Sequence, residues 1–353
     1  MSRFKSWSQQ NKLQHNYTNR LLSPVKTGSF DPGPGHQFMT SLTGVIISRQ
    51  NQAYIYGLAT VLLWSTVGVA FKLALRQLDI FQLVFYATLF ATLILLGVAW
   101  FRGSFHTLRD QFASHWKITL ISGCINPVLY YLILFAAYDR LPAQVVQPIN
   151  YTWAIVLTFL SIFFLGQRIT RADFVAAFVC YAGVVVIAMQ GQFPSAQSFQ
   201  TAGLSVADES AVVGLLLAIV STFIWATYWI INVRDQREPS VAVCLNFIVA
   251  LPVSFLACLI FSSPSVSSLE ELIGAVYIGF AEMAIAFLLW SKALRMAENT
   301  SKVSNLVFIS PFISLVLIHL VLGESIHSTT YIGLSLIVGG LLYQQYSSVS
   351  QQN

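Results

Sequence analysis

The chain has 353 residues, of which 56% are hydrophobic and 9% charged, with a formal net charge of +5. A soluble globular domain carries about 25% charged residues, so this composition cannot cover a water-facing surface and fits a lipid solvent instead. The surplus of Lys and Arg does not point to nucleic acid, because these residues lie in the N-terminal tail or in short gaps between apolar runs, where they read as topology signals.

Residues 1–51 are polar and carry the cluster Asp31-Pro32-Gly33-Pro34-Gly35. Such a segment buries too little apolar surface to fold alone, so a disordered cytoplasmic tail is expected. It is no signal peptide: its only apolar stretch, near Leu42 to Ile47, is short and far from the start. Met39 is an alternative initiator, a reading that N-terminal sequencing giving Met1 or Ser2 would exclude.

Ten apolar segments follow, at 53–75, 80–101, 118–138, 143–165, 172–190, 211–232, 240–261, 271–294, 302–322 and 328–346. A span needs about 20 apolar residues to cross the hydrocarbon. Helices are expected, because lipid satisfies no backbone hydrogen bond and a barrel would show alternating polarity. Interior prolines stand at Pro127, Pro148, Pro252 and Pro311. Each removes an amide donor and weakens the local helix; Pro148 and Pro311 are the hinge candidates, with a packing kink as the plainer alternative.

With the N-terminus inside, and the tail set aside, ten Lys and Arg fall on the inner side. Three fall outside: Lys72, Arg76 and Arg140. The positive-inside rule then puts both termini in the cytoplasm of a multi-pass inner (plasma) membrane protein. Residues 191–210 lack Lys and Arg and read as an external linker. The expected organisation is a tail at 1–51, five helices in 52–190, the linker, five helices in 211–346, and a cytoplasmic tail at 347–353.

The two halves resemble each other. At an offset of 157, Leu165-Gly166-Gln167-Arg168-Ile169 lies on Leu322-Gly323-Glu324-Ser325-Ile326, and Ala182-Gly183 meets Gly339-Gly340. Trp64-Ser65-Thr66 lies on Trp225-Ala226-Thr227 at an offset of 161. Five spans per half is an odd number, so the second half enters the membrane from the opposite side. The fold class is an all-α membrane protein of ten transmembrane helices in two inverted five-helix repeats, a design that transporters use.

The residues then carry a specific likeness. Trp64 with Lys72, the matching Trp225, the run from Ala286 to Leu294, Pro311-Phe312-Ile313, Gly323-Glu324 and Gly339-Gly340 occur in order over residues 53–346. In these features the chain resembles the EamA-type branch of the drug/metabolite transporter superfamily. The resemblance implies a ten-helix bundle with a central solute pathway and no bound cofactor. Three features depart from it: Phe85-Tyr86-Ala87 where the family often has an Arg, Gly166-Gln167 for Gly-Glu, and Glu282 where many members are apolar. They bear on the substrate more than on the fold.

An ionisable group at membrane depth points to function by default. Glu282 is the clearest, deep in the eighth segment. It can be a hydrogen-bonded structural lock, bind a cationic group of a substrate, or carry a coupling proton. His319 is a lone His at the outer end of the ninth segment, where a hydrogen-bonded role is the plainer expectation. Lys72 and Lys292 can snorkel to the headgroups. Glu324 reads as a loop-ordering or gate residue, with helix capping as the alternative.

Asn126, Tyr130 and Tyr131 precede the most polar stretch within any span, from Gln147 to Trp153. Gln147, Asn150 and Tyr151 fall at i, i+3 and i+4, on one helix face. Ser304, Asn305 and Ser310 occupy the matching region of the second half. The substrate-pathway candidates are therefore Glu282, Gln147, Asn150, Tyr151, Trp64, Trp225, Asn305 and Ser310. Amides and hydroxyls there can serve a solute or bind helices together. The tryptophans, with Trp153 and Trp229, can stack on a flat solute or simply pack.

Cys124, Cys180, Cys244 and Cys258 make no CxxC pair and no Cys/His cluster. They read as apolar fillers, and no metal is expected. No phosphate-cradling Gly-x-x-x-x-Gly-Lys loop, HExxH or Gly-x-Ser-x-Gly is present. The leading expectation is a secondary transporter, by family likeness an exporter, for an amino acid or drug-like compound. An intramembrane enzyme would need a nucleophile with a base, or clustered ligands, and neither is found. A non-transporting scaffold or sensor is the rival; Ser335 and Gly339 can support helix packing or a homodimer. The partners are then a small-molecule solute and the bilayer, not nucleic acid.

Overall fold

The computed structural model describes residues 48–165, 171–188, 209–296, 303 and 305–350. The expectations for residues 1–47, for Gly166-Gln167, for linker residues 191–208 and for Ser304 lie outside the described residues. So do the side chain of Asn305 and the last residues of the C-terminal tail.

Every regular element among the described residues is helical. Six stretches are long and apolar enough to cross a membrane: Arg49–Ala74, Ile80–Phe101, Phe105–Arg140, Glu209–Asn232, Pro239–Phe261 and Leu269–Ala293. A shorter apolar helix covers Leu306–Leu322. The other predicted segments also fall on helix. The fourth is split into Ala143–Asn150 and Trp153–Leu165, the fifth is Arg171–Ala188, and the tenth is Ser328–Ser350.

Side chains at the helix starts explain several boundaries. Ser48 accepts from the Asn51 amide at 3.2 Å. Asp79 accepts from the amides of Phe81 and Gln82, and the Gln82 side chain reaches back to the Asp79 amide, a capping box. Glu238 accepts from Val241 at 3.0 Å, just before Pro239 opens its helix.

Two segments are interrupted in mid-course. The third passes through a π-turn, Cys124–Leu129, around Pro127 and an extended Asn126. The eighth passes through another, Ile278–Ala286, which carries Glu282. π-turns occur often at functional sites.

The bundle is turned inside out relative to a soluble protein. Phe163, Phe178, Leu216, Leu256 and Leu320 are each more than half exposed. Ser65, Asn126, Gln147, Asn246, Glu282, Ser310 and Ser314 are buried. A water-soluble monomer rarely exposes so much apolar surface; lipid accepts it. Three of the four cysteines are buried, as expected of fillers, whereas Cys124 is exposed.

The principal helix contacts join the two halves. The second segment packs on the seventh and the fifth on the tenth. The first packs on the eighth and ninth, and the sixth on the third and fourth. Exchanging the halves maps this set of pairings onto itself. The fifth and tenth helices run antiparallel at very short range. A Cβ on Gly183 would stand 2.6 Å from the Gly333 carbonyl, and one on Gly333 would stand 2.5 Å from that of Gly183. Gly340 meets Cys180 and Ala176 in the same seam. Small residues let helices approach this closely in lipid. Ser335 and Gly339, the small pair expected to support packing, instead face outward: both are exposed, and a Cβ on Gly339 would meet nothing.

Between the sixth and seventh segments, Arg237 is buried and donates to both carboxylate oxygens of Asp235 and, at 2.7 Å, to Thr119 of the third. Burial pushes the Asp235 carboxyl up, but the hydrogen bonds and charge of Arg237 outweigh it and hold the carboxyl below its usual range. A depressed folded-state value means that this stabilisation is present above the unfolded value of about 3.9. It is lost as pH falls through the folded one.

Two measurements follow. Gly183→Ala is expected to lower the unfolding midpoint in detergent, at a cost of about 1–3 kcal/mol, because backbone rather than a flexible side chain meets the new methyl. Asp235→Asn is expected to flatten the acid limb of the stability–pH curve below about pH 4, read by thermal unfolding across pH.

Candidate functional site

The polar interior is built by side chains that cross between the halves. Near the first segment, Ser65 Oγ lies 3.1 Å from Ser310 Oγ of the ninth. Tyr138 donates to Gln147 Oε1. The Tyr151 hydroxyl interacts with Ser310 and Gln147. Gly68 leaves the necessary room, since a Cβ there would stand 2.8 Å from Gln147 Oε1.

A second knot has the halves exchanged. Asn150 of the fourth segment donates from Nδ2 to Ser221 Oγ of the sixth at 3.0 Å. Its Oδ1 accepts from the Tyr130 hydroxyl at 3.2 Å. Tyr130 stacks on Trp225 with centroids 4.5 Å apart, and Trp225 meets Phe287 edge-on at 5.7 Å.

Glu282 lies beside this knot. Its Oε1 accepts from the Tyr131 hydroxyl at 3.1 Å, while Oε2 is buried without a hydrogen bond. Tyr131 in turn lies edge-on to Tyr130 at 4.8 Å. Further along the sixth segment, Tyr228 lies beside the amides of Asn126, Asn232 and Asn246. Neither amide atom of Asn126, nor Asn246 Oδ1, makes a hydrogen bond.

At the other end of the fourth segment, Pro142 brings no capping side chain to helix Ala143–Asn150. The first amides of a helix have no partner within it. Glu324 supplies one from the opposite half, accepting from Ala143 at 3.0 Å and from Gln144 at 3.1 Å. Its negative charge sits at the positive end of the helix dipole. Gln144 returns the contact through Nε2 to the Ser325 carbonyl at 2.9 Å. His319 Nδ1 lies 2.9 Å from the Glu324 carbonyl, and Gly323 turns the chain there with a φ of +70°. Glu324 is thus a cap, and one that spans the two halves.

A separate hollow of about 540 Å³ lies between the first segment, Ile273–Tyr277 and Leu317 with Val321. None of the polar residues just described lines it. Its walls are mostly aliphatic, with Arg76, Glu270 and Glu271 as its charges. The buried polar atoms without partners on Asn126, Asn246 and Glu282 lie in the central cluster, not in this hollow.

Comparison with known sequences finds the same domain twice in this interlocked bundle. The EamA-like transporter family matches residues 51–189 and again 212–343. The chain belongs to the EamA-like transporter family. It is therefore a multi-pass membrane protein of a transporter family, whose partners are a small-molecule solute and membrane lipid. An uncharacterized transporter of Archaeoglobus fulgidus is 25% identical over 289 residues, covering 80% of this chain and 93% of that one. One of Clostridium kluyveri is 23% identical over 316 residues, 86% of this chain and 95% of its own. Protein PecM of Dickeya dadantii is 25% identical over 239 residues, 65% of this chain and 73% of its own. A crystal structure shares the fold with a TM-score of 0.61 at 21% identity, over 86% of this chain and 99% of that one.

In this EamA-like bundle Gln147, Tyr151 and Ser310 meet in one knot, and Asn150 and Trp225 in the other, next to Glu282. Trp64 packs against the cluster that holds Tyr151 and Trp290, tilted against Trp290 at 5.3 Å. Asn305 opens the short helix Asn305–Ile309. Pro148 lies within Ala143–Asn150, and Pro311 in the first turn of Ser310–Leu317. The sequence reading missed Ser65, Tyr138, Ser221 and Asn246. One signal was there: Ser221 lies four residues before Trp225 and shares its helix face.

Glu324→Ala is expected to destabilise the protein by about 0.5–2 kcal/mol, the usual worth of a helix cap. Glu324→Gln, which keeps one acceptor oxygen, should lose less. Thermal unfolding of the two purified variants checks the order.

Proposed function

We propose that this chain is a secondary transporter of ten spans that moves a small organic metabolite, an amino acid or drug-like compound, across the inner membrane by alternating access, working as an exporter. The observation that carries this reading is the duplicated transporter domain whose polar side chains meet between its copies. Residues 52–190 and 211–346 are the two repeats and 191–210 the external link between them. Five spans in each invert the second, and both termini then lie in the cytoplasm. The exchange of contacts between the halves supports the inversion: first on eighth answers sixth on third, and first on ninth answers sixth on fourth.

In such an arrangement one mouth opens as the other shuts. The tie from Glu324 to Ala143 and Gln144 joins the repeats at one end of the bundle, so opening that end requires breaking it. Pro148 lies within helix Ala143–Asn150, where a missing amide bond lets the fourth segment bend, and Pro311, in the first turn of Ser310–Leu317, is the hinge candidate of the ninth. Cofactor chemistry has no role in this reading.

The test compares spent medium from cells expressing the wild type, Glu282→Gln or empty vector. A compound enriched by the wild type alone identifies a cargo and places Glu282 on its path. A compound enriched by both proteins keeps the transporter and makes Glu282 structural. No enrichment in the medium, and none of import, favours a scaffold or sensor. With a cargo in hand, Glu282→Gln is expected to abolish the pH dependence of flux in proteoliposomes. An unchanged pH profile would remove this carboxyl from proton coupling.

A further inference from the structure

Glu282 is 7% exposed, and its Oε2 has no hydrogen-bond partner. The groups around it are neutral. Tyr131 donates to it, and the hydroxyls of Tyr130, Tyr138 and Tyr151 lie within its electrostatic reach. Among the described residues no Lys, Arg or His interacts with it. Three basic side chains of the bundle are engaged elsewhere. Lys72 faces Glu324 and Asp139, Lys292 donates to Tyr56 and lies over its ring, and Arg237 holds Asp235. Among the described residues this carboxyl has no countercharge.

Aromatic rings stand beside it. Tyr131 meets Tyr130 edge-on, Tyr130 stacks on Trp225, and Phe287, five residues on from Glu282, packs against Trp225. Ring faces carry negative potential and attract a cation, most strongly when water is excluded. A buried carboxyl with a free oxygen beside this group of electron-rich rings forms a site of one electrical sign. An anionic solute would meet like charge there. A free amino acid would bring a carboxylate for which the site holds no basic partner.

We propose that the central site, from Glu282 with its unpartnered Oε2 to the Tyr130–Trp225 stack, takes organic cations: amines or quaternary ammonium compounds with an apolar or aromatic body and no acid group. This rests on the transporter reading and narrows its solute to the cationic members of the drug-like class. The ammonium group sits against the carboxylate, and the apolar body lies along the rings.

The test uses the purified full chain in detergent with two probes of matched shape, benzyltrimethylammonium and neopentylbenzene, its uncharged carbon isostere. Binding is followed by tryptophan fluorescence and by the shift in unfolding temperature. The wild type is expected to prefer the cation by about tenfold or more. Glu282→Gln should remove that preference, Glu282→Asp should retain most of it, and Trp225→Phe should reduce it. Equal binding of the two probes by the wild type overturns the proposal without the need for any variant. So does a preference that survives in Glu282→Gln. Flux from proteoliposomes loaded with a cell extract separates this inference from the reading beneath it. Transport of an acidic or zwitterionic solute that is indifferent to Glu282→Gln would overturn the cation site and leave the transporter. A cation preference without flux of any solute would keep the site and overturn the transporter.

Discussion

A backbone amide in hydrocarbon has no water to bond, so each one must find its partner inside the protein. Much of this structure answers that constraint. Whole helices satisfy their own middles and leave only their ends to be dealt with. Ser48, Asp79 and Glu238 deal with three of these ends locally. Helix Ala143–Asn150 cannot, because Pro142 has no side-chain oxygen, and the carboxylate of Glu324 comes from the other repeat to do it. A local need at one helix start thereby becomes a bond between the two halves. The same constraint makes the π-turns at Pro127 and Glu282 informative, since irregular backbone at membrane depth survives only where it is packed in protein or lines a cavity.

The interior repeats this logic with side chains. A hydroxyl or amide facing lipid would lose its partners, so such groups turn inward and meet one another across the halves. Ser65 with Ser310 and Asn150 with Ser221 are the same kind of contact made twice, with the repeats exchanged. Glu282, Asn126 and Asn246 are not fully answered, and among these Glu282 is the ionisable one: its surroundings meet one of its two oxygens. An ionisable group buried this way is costly to charge without a partner, which sets it apart from the neutral hydroxyls around it.

Much of the fold was legible in the sequence because the bilayer imposes a simple code. Length, apolarity and the few charges located the segments, and the recurring Trp, Leu-Gly and Gly-Gly stations located the repeat. The site was legible only in part. Gln147, Asn150 and Tyr151 stood out because polar residues within a span are rare. Ser65 and Ser221 did not, because a single serine in a helix can as easily bond to its own preceding turn, and both of these also do so. Tyr138 read as one aromatic among many. Which small residues form the seam was not legible either: Ser335 and Gly339 have the right spacing, but Gly333 and Gly340 have the right direction. Spacing fixes only that two residues share a face, and the face that meets a neighbour is chosen by the rest of the bundle.

The seam at Gly183 and Gly333 has a consequence for how such a protein can change over time. At the crossing point main chain meets main chain, each glycine set against the other's carbonyl, while Cys180 donates to the Ile337 carbonyl at 3.3 Å and Gln344 to Asp173 Oδ1 at 2.9 Å along the same two helices. The crossing itself asks that the two glycine positions stay small. The residues around Glu282 and Trp225 lie on different helices and make no demand on it. On the proposed reading, replacements there alter which molecules are carried while the framework keeps its register, so new specificities are open to this scaffold without rebuilding the part that holds it together.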